Sequence, residues 1–302
     1  MIKSITVKNH LGETYPLELT GPERYGLAIK SITGLGPGKA NINTSEVTTT
    51  DGGLYSSSRL PVRNIVISLE FLWAKTIEEA RQRTYRMFPI KRDVTLLIET
   101  DNRSVEISGY VESNEPTIFS KNEGTEISII CPDPYFYATG ADGVVAEEFY
   151  GLTSLFEFEF SNESMTDSLI EMGSLATTSR RTINYRGDVE TGVTITLHAL
   201  GEVKNITINH STAYTSGSIK IHTDKLKSPI EEGDTIVICT MKGKKSAKLI
   251  RAGTEINILN SLDKHVDWFQ LVRGDNLFTY MADEGLQNLN MAIESRVRYE
   301  GV

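Results

Sequence analysis

The chain has 302 residues, 39% of them apolar and 24% charged, with a formal net charge of −9. That length buries a large core and suits two domains. Through Gly140 there are 15 Lys and Arg against 17 Asp and Glu, leaving 16 against 23 for the rest, so the acidity sits mostly in the second part and argues against a general nucleic-acid binder.

Met1-Ile2-Lys3-Ser4-Ile5 opens a strand pattern without a long apolar run, so no signal peptide is expected. No uninterrupted apolar run approaches membrane-spanning length. Ile2, Ile5 and Val7 are apolar pulses that stop at the turn signal Asn9-His10-Leu11-Gly12. Tyr15, Leu17 and Leu19 alternate and stop at Gly21-Pro22. Gly34 to Gly38 reads as a Gly/Pro loop. Residues 41–50 are polar and extended, and Asp51-Gly52-Gly53 invites a tight turn or a loop. Asn64 to Trp73 is a strong strand, with Ile65, Ile67, Leu69 and Phe71 on one face.

One helix is predicted next. Thr76 is placed to cap it, Glu79 completes a capping box, and Pro89 closes it. Ile77, Ala80, Thr84 and Phe88 form its apolar stripe. Val94 to Glu99, Ser104 to Glu112 and Thr125 to Cys131 alternate again, with Asp101-Asn102-Arg103 as a hairpin loop. The pattern predicts a mainly β first domain over residues 1–138, an antiparallel sheet or split barrel with one inserted helix.

Cys131-Pro132-Asp133-Pro134-Tyr135-Phe136-Tyr137 ends that domain. Two prolines in three residues cannot both serve a central ladder, and three aromatics follow at once. A second domain over 139–302 then reads as many short strands: Leu155–Phe160, Arg181–Tyr185, Val193–Ala199, Asn205–His210, Ser218–Thr223, Thr235–Cys239 and Lys248–Arg251. Leu259 to Leu262 suits a helical turn. Trp268–Val272, Leu277–Tyr280 and Met291–Tyr299 close the pattern, with Gly274-Asp275-Asn276 between the first two. Such spacing predicts an antiparallel β-sandwich.

Few residues suggest chemistry. The five histidines, His10, His198, His210, His222 and His265, are scattered, without metal-ligand spacing. The glycine loops lack the pattern of a phosphate cradle at a helix start. The adjacent acids Glu147-Glu148 and Glu231-Glu232 point to opposite faces of a strand, so they make poor catalytic pairs. Cys131 and Cys239 read as free buried thiols. Trp268 reads as core beside Val266, Phe269 and Leu271; with Asp263 and Asp267 it would alternatively line a sugar site. Arg81, Arg83, Arg86, Lys91 and Arg92 form a basic cluster, either a solvated face or a surface for an acidic neighbour or a DNA-passing pore. No cofactor, metal or catalytic residue is assigned, and the chain is expected not to be an enzyme.

Taken in order, these features resemble the distal tail protein (Dit) family of long-tailed, siphovirus-type phages. The likeness rests on the strand 64–73 with the helix 76–88, on Cys131 to Tyr137, and on the end of the chain: Trp268, Leu271, Gly274-Asp275-Asn276, Phe278 and Tyr299-Glu300-Gly301-Val302. The resemblance implies a structural baseplate hub: a hexameric ring of N-terminal split barrels around a DNA channel, with a galectin-like or jelly-roll sandwich outside it. It implies as partners the tail tube protein, a tip or lysin protein, the tape measure and receptor-binding proteins. DNA would pass without specific binding, and no membrane would be engaged. The location implied is the virion tail tip of a phage or prophage, after synthesis in the bacterial cytoplasm. Pro132, Asp133, Pro134, Tyr135, Phe136, Trp268, Gly274, Asp275 and Asn276 are the expected interface or structural residues. A carbohydrate-binding module of a tail assembly is the alternative.

Overall fold

The computed structural model describes residues 1–19, 21–22, 26–46, 51–72, 76–119, 122–149 and 180–302. The expected strand Leu155–Phe160 lies outside these residues, as does Trp73. The chain forms two compact units: Met1–Gly143 together with Arg298–Val302, and Val144–Val297.

The first unit carries β1 (Ile2–Asn9), β2 (Thr14–Leu17), β3 (Leu27–Thr33), β4 (Asn41–Glu46), β5 (Gly53–Arg59), β6 (Arg63–Phe71), α1 (Ile77–Met87), β7 (Asp93–Thr100), β8 (Ser104–Thr117), β9 (Gly124–Cys131) and β10 (Phe136–Ala138). The main sheet runs β2-β1-β7-β8-β9-β6-β3, and its paired strands are antiparallel. Its hydrogen-bonded path ends at β2 and β3, with no closing pair among the described residues. The mainly β class and the helix are as the sequence predicts; barrel closure is not among the observed pairings.

Period-two burial explains most of the sheet. Ile65, Ile67, Leu69 and Phe71 of β6 all face the core, where they join Ile5, Val7, Leu96, Ile98, Ile107, Ile127 and Ile129. Helix α1 adds Ala80 and Met87 to this core, and Phe88 follows at its C-cap. Its N-cap is Thr76, whose hydroxyl accepts from the Glu79 backbone N–H at 3.4 Å. At the other end Asn9 Nδ2 donates to the Arg86 carbonyl at 3.2 Å, supplying one carbonyl that the helix cannot satisfy itself.

The polar, extended segment that begins at Asn41 forms one strand of the two-stranded hairpin β4–β5, paired from Asn41↔Arg59 to Glu46↔Gly53. Every residue of both strands is exposed. No face is buried, so no hydrophobic period marks the strands. β3 also lacks a regular alternation, because its register against β6 shifts between Ile29 and Ser31.

The second unit carries β11 (Val144–Phe149), β12 (Arg180–Tyr185), β13 (Thr194–Ala199), β14 (Lys204–Ser211), β15 (Ser216–Ile221), β16 (Thr235–Cys239), β17 (Ser246–Arg251), β18 (Thr254–Asn257), β19 (Gly274–Glu284) and β20 (Leu289–Arg296). They form a six-stranded sheet, β11-β20-β13-β16-β17-β18, and a four-stranded sheet, β12-β19-β14-β15. The two sheets meet through Tyr280 of β19. Its ring packs edge-on against Phe149 of β11 at 6.0 Å, and its hydroxyl donates to the Leu289 carbonyl at 3.2 Å. This arrangement of two sheets is consistent with the expected β-sandwich.

Three expectations here are corrected. Trp268–Val272 is not a strand; it pairs only through an isolated bridge between Leu271 and Thr191. Gly274-Asp275-Asn276 does not precede a strand but starts β19. Cys239 is half-exposed, because Ile236 and Ile238 take the inward parity of β16. Finally β21 (Arg298–Tyr299) returns the chain to the first unit, pairing with β10 through Phe136↔Tyr299 and Tyr137↔Arg298.

Candidate functional site

The Cys131–Tyr137 stretch is built around one arginine. Arg63 is the first residue of β6 and takes the inward parity of that strand, which leaves it 6% exposed. Its Nε donates to the Pro134 carbonyl at 2.6 Å. Nη1 donates to Gly34 and Gly36 carbonyls at 2.6 and 2.5 Å, and Nη2 to the Glu300 carbonyl at 2.7 Å. The guanidinium also lies 4.8 Å from the centre of the buried Phe136 ring. One fork of donors thus fastens the glycine loop, the proline pair and the end of the chain. Burial lowers the Arg63 pKa from its ordinary value.

Around this fork each predicted residue has a definite place. Pro132 is exposed, and Pro134 supplies the carbonyl just described. Asp133 accepts from the Tyr135 backbone N–H at 3.3 Å and from the Tyr137 hydroxyl at 2.6 Å. Arg298 donates to that same hydroxyl at 2.6 Å and lies over the rings of Tyr135 and Tyr137 at 5.3 and 5.2 Å. Arg103 covers Tyr299 at 4.1 Å. Cys131 is buried, and that burial pushes its thiol pKa up to about 11. A thiol held protonated in this way is a packing residue rather than a nucleophile.

Two surfaces of the first unit expose apolar and basic side chains together. Hairpin β4–β5 exposes Ile42 and Leu54 at 63% and Tyr55 at 66%. On α1, Arg81 pairs with Glu78 three residues earlier. Arg86, Lys91 and Arg92 are exposed beside the exposed Tyr85 and Ile90.

In the second unit Asn276 is fully buried. Its Nδ2 donates to the Val272 and Gly274 carbonyls at 2.8 and 2.9 Å, and its Oδ1 accepts from the Val272 N–H at 3.0 Å. That Oδ1 also lies 3.1 Å from His210 Nε2. An amide already donating through nitrogen offers only its oxygen, so His210 carries its proton on Nε2 and keeps Nδ1 as an acceptor. Burial lowers the His210 pKa and favours this neutral form. Gly274 has φ +98° and nothing near the position of a Cβ, so backbone conformation alone selects glycine. Asp275 accepts from Asn184 Nδ2 at 2.8 Å across the β12–β19 pair.

Trp268 departs from the core reading. It is half-buried and lines a pocket of about 320 Å3, while its neighbour Phe269 turns inward onto His210. Asp267 also lines this pocket, but Asp263 does not. The histidines do not converge: His198 and His210 stand on different sheets, and no metal-binding group of three or more His, Cys, Asp or Glu occurs among the described residues. No helix among those residues is long and apolar enough to cross a membrane.

No family model and no curated protein matches the chain. Among solved structures it is similar to the SPP1 Dit (gp 19.1) protein, described as a paradigm of the hub adsorption apparatus in phages infecting Gram-positive bacteria. The TM-score is 0.61 at 12% identity, over 96% of this chain and 98% of that one. A chain of the phage P2 baseplate in its activated conformation with Ca aligns at TM-score 0.47 and 11% identity, over 98% and 99%. The likeness is one of fold. It is a distant structural similarity to the SPP1 Dit protein.

Proposed function

We propose that this chain is a structural component of the baseplate hub at the distal end of a phage or phage-like tail. The observation that carries the reading is the nearly full-length fold likeness to the SPP1 Dit protein. In this reading residues 1–138 form a hexameric ring that joins the tail tube to the tip proteins and leaves a channel for DNA. Residues 144–297 form the β-sandwich domain, and residues 298–302 complete the ring-forming part. Pro132, Asp133, Pro134, Tyr135 and Phe136 brace the ring-forming part near its exit, and Gly274, Asp275 and Asn276 brace the sandwich. The chain works as a scaffold and catalyses nothing, and it resides at the virion tail tip.

The exposed surfaces support such an assembly. A cyclic ring needs two different complementary patches on each subunit. The edge strands β2 and β3 and the apolar side chains of β4–β5 are suitable material for one of them. The near-balanced charge through Gly140 suits a channel that lets DNA slide without counterion-releasing contacts.

Native mass spectrometry and negative-stain imaging of the purified chain test the reading. A six-copy ring with a central hole is expected. Replacing residues 41–58 by a short glycine linker should abolish the ring and leave thermal stability nearly unchanged, since every residue of β4 and β5 is exposed. A monomer that persists at high concentration with the tail tube protein present overturns the ring. An unchanged oligomer mass after the replacement overturns the role of the β4–β5 hairpin.

A further inference from the structure

The second unit holds a pocket that the hub reading does not use. It lies between the start of β15, the His210 end of β14 and the segment 267–272, with exposed Glu190 at its rim. We propose that this pocket binds a neutral pyranose residue of a cell-surface polysaccharide, with Trp268 as the stacking platform.

The platform is rigid before any ligand arrives. Asp267 N–H donates to the Ser218 carbonyl at 3.2 Å, and Asp267 Oδ2 accepts from Ser218 N–H at 3.2 Å. A Cβ at Gly217 would lie 2.9 Å from the Asp267 Cβ, so the glycine permits this close approach. On the other side of Trp268, the Phe269 ring stacks on His210 at 4.9 Å and meets Phe278 edge-on at 5.7 Å. Gln270 Nε2 donates to the Thr240 carbonyl at 3.0 Å, and Leu271 exchanges both backbone hydrogen bonds with Thr191 at 2.7 and 3.2 Å. An indole on a segment pinned at both ends loses little freedom on binding.

The chemistry of the lining selects the ligand class. A pyranose presents one face of C–H groups and a rim of hydroxyls. An indole face matches the first, because it is large, apolar and electron-rich. The carboxylates of Glu190 and Asp267 and the hydroxyls of Thr215 and Ser216 match the second. The two carboxylates disfavour acidic sugars and phosphate polymers. Lys245, with Nζ 5.5 Å from the centre of the Trp268 ring, balances part of that charge. Beside the pocket, the β14–β15 turn is held by the Thr212 hydroxyl, which accepts from the Tyr214 and Thr215 N–H groups at 3.2 and 3.0 Å. It presents Tyr214 at 93% exposure, a second aromatic for a longer glycan.

The test is a glycan array of neutral, N-acetylated and acidic oligosaccharides probed with the full chain, followed by calorimetry on the best ligand. Retention of neutral or N-acetylated pyranosides is expected. Trp268→Ala should weaken binding about tenfold or more without moving the melting temperature, and Trp268→Phe should recover part of the loss. Glu190→Gln should weaken it less. Binding to intact polysaccharide and to its isolated oligosaccharides with the same dependence on Trp268 places recognition in the sugar residue itself. No retention of any neutral pyranoside at millimolar concentration overturns the proposal. So does equal binding by Trp268→Ala, a preference for acidic glycans, or cleavage of the bound glycan. None of these outcomes alters the hub reading, which is tested by the mass of the assembly.

Discussion

Each unit contains an arginine that ties loops together, and the two do so with different electrostatics. Arg63 in the first unit is almost wholly buried and donates to four backbone carbonyls and no carboxylate. Arg251 in the second unit is partly exposed and grips the carboxylate of Asp234 through Nε at 2.7 Å and through Nη2. Its Nη1 reaches the Ser228 hydroxyl and its Nη2 the Pro229 carbonyl, each at 2.6 Å. The partners of Arg251 lie 17 to 23 residues away, so it organises one local turn. Those of Arg63 include Glu300, 237 residues away. A buried cation satisfied by dipoles alone holds distant segments together without bringing a titratable partner into the core. A cation paired with a carboxylate makes a tie that acid can undo.

The largest effect expected is from Arg63→Ala. It strips the donors from four carbonyls inside a packed unit and should cost about 3–5 kcal/mol. Calorimetric melts would measure this, and Arg63→Lys should recover little, because one ammonium cannot span the fork. Equal stability of the lysine variant would show that charge rather than geometry matters here. Arg251→Ala should cost less, about 2 kcal/mol, since water can reach part of the vacated site and Asp234 keeps the Glu231 N–H at 2.9 Å.

The smallest effect sharpens the contrast. The Asp234 pKa is lowered from 3.8, first by its hydrogen bond from Arg251. A depressed carboxylate stabilises the fold above its unfolded pKa, and that contribution is lost as pH falls through the folded value. The stability gap between the original chain and Arg251→Ala should therefore narrow in strong acid, leaving the share held by the Ser228 hydroxyl and the Pro229 carbonyl. The gap for Arg63→Ala should persist, because carbonyls do not titrate there. Parallel loss of both gaps in acid would refute the distinction.

Much of the fold was legible, and the exceptions share a cause. β6, α1, β7, β8 and β16 bury one face, so period two or the 3.6-residue stripe marks them directly. β4 and β5 bury nothing, and a strand without a buried face leaves no pattern to read. Trp268 was misread because apolar neighbours suggested a strand, whereas parity in an irregular segment is set by side-chain anchors such as Asp267 and Gln270. The Arg63 fork was invisible for another reason. Its partners are backbone carbonyls, which any residue supplies, and the chain distance to Glu300 gives no local signal.

The return of β21 to β10 sets an order of events during synthesis. Residues 1–143 leave the ribosome first, yet one strand and one fork partner of their unit arrive only with residues 298–302. Until then Arg63 lacks the Glu300 carbonyl, and Phe136 has no partner strand at Tyr299. The second unit is translated while the first still waits for these pieces. Of the two units, the one begun first is thus the last to be finished, and a chain interrupted before residue 298 leaves it open.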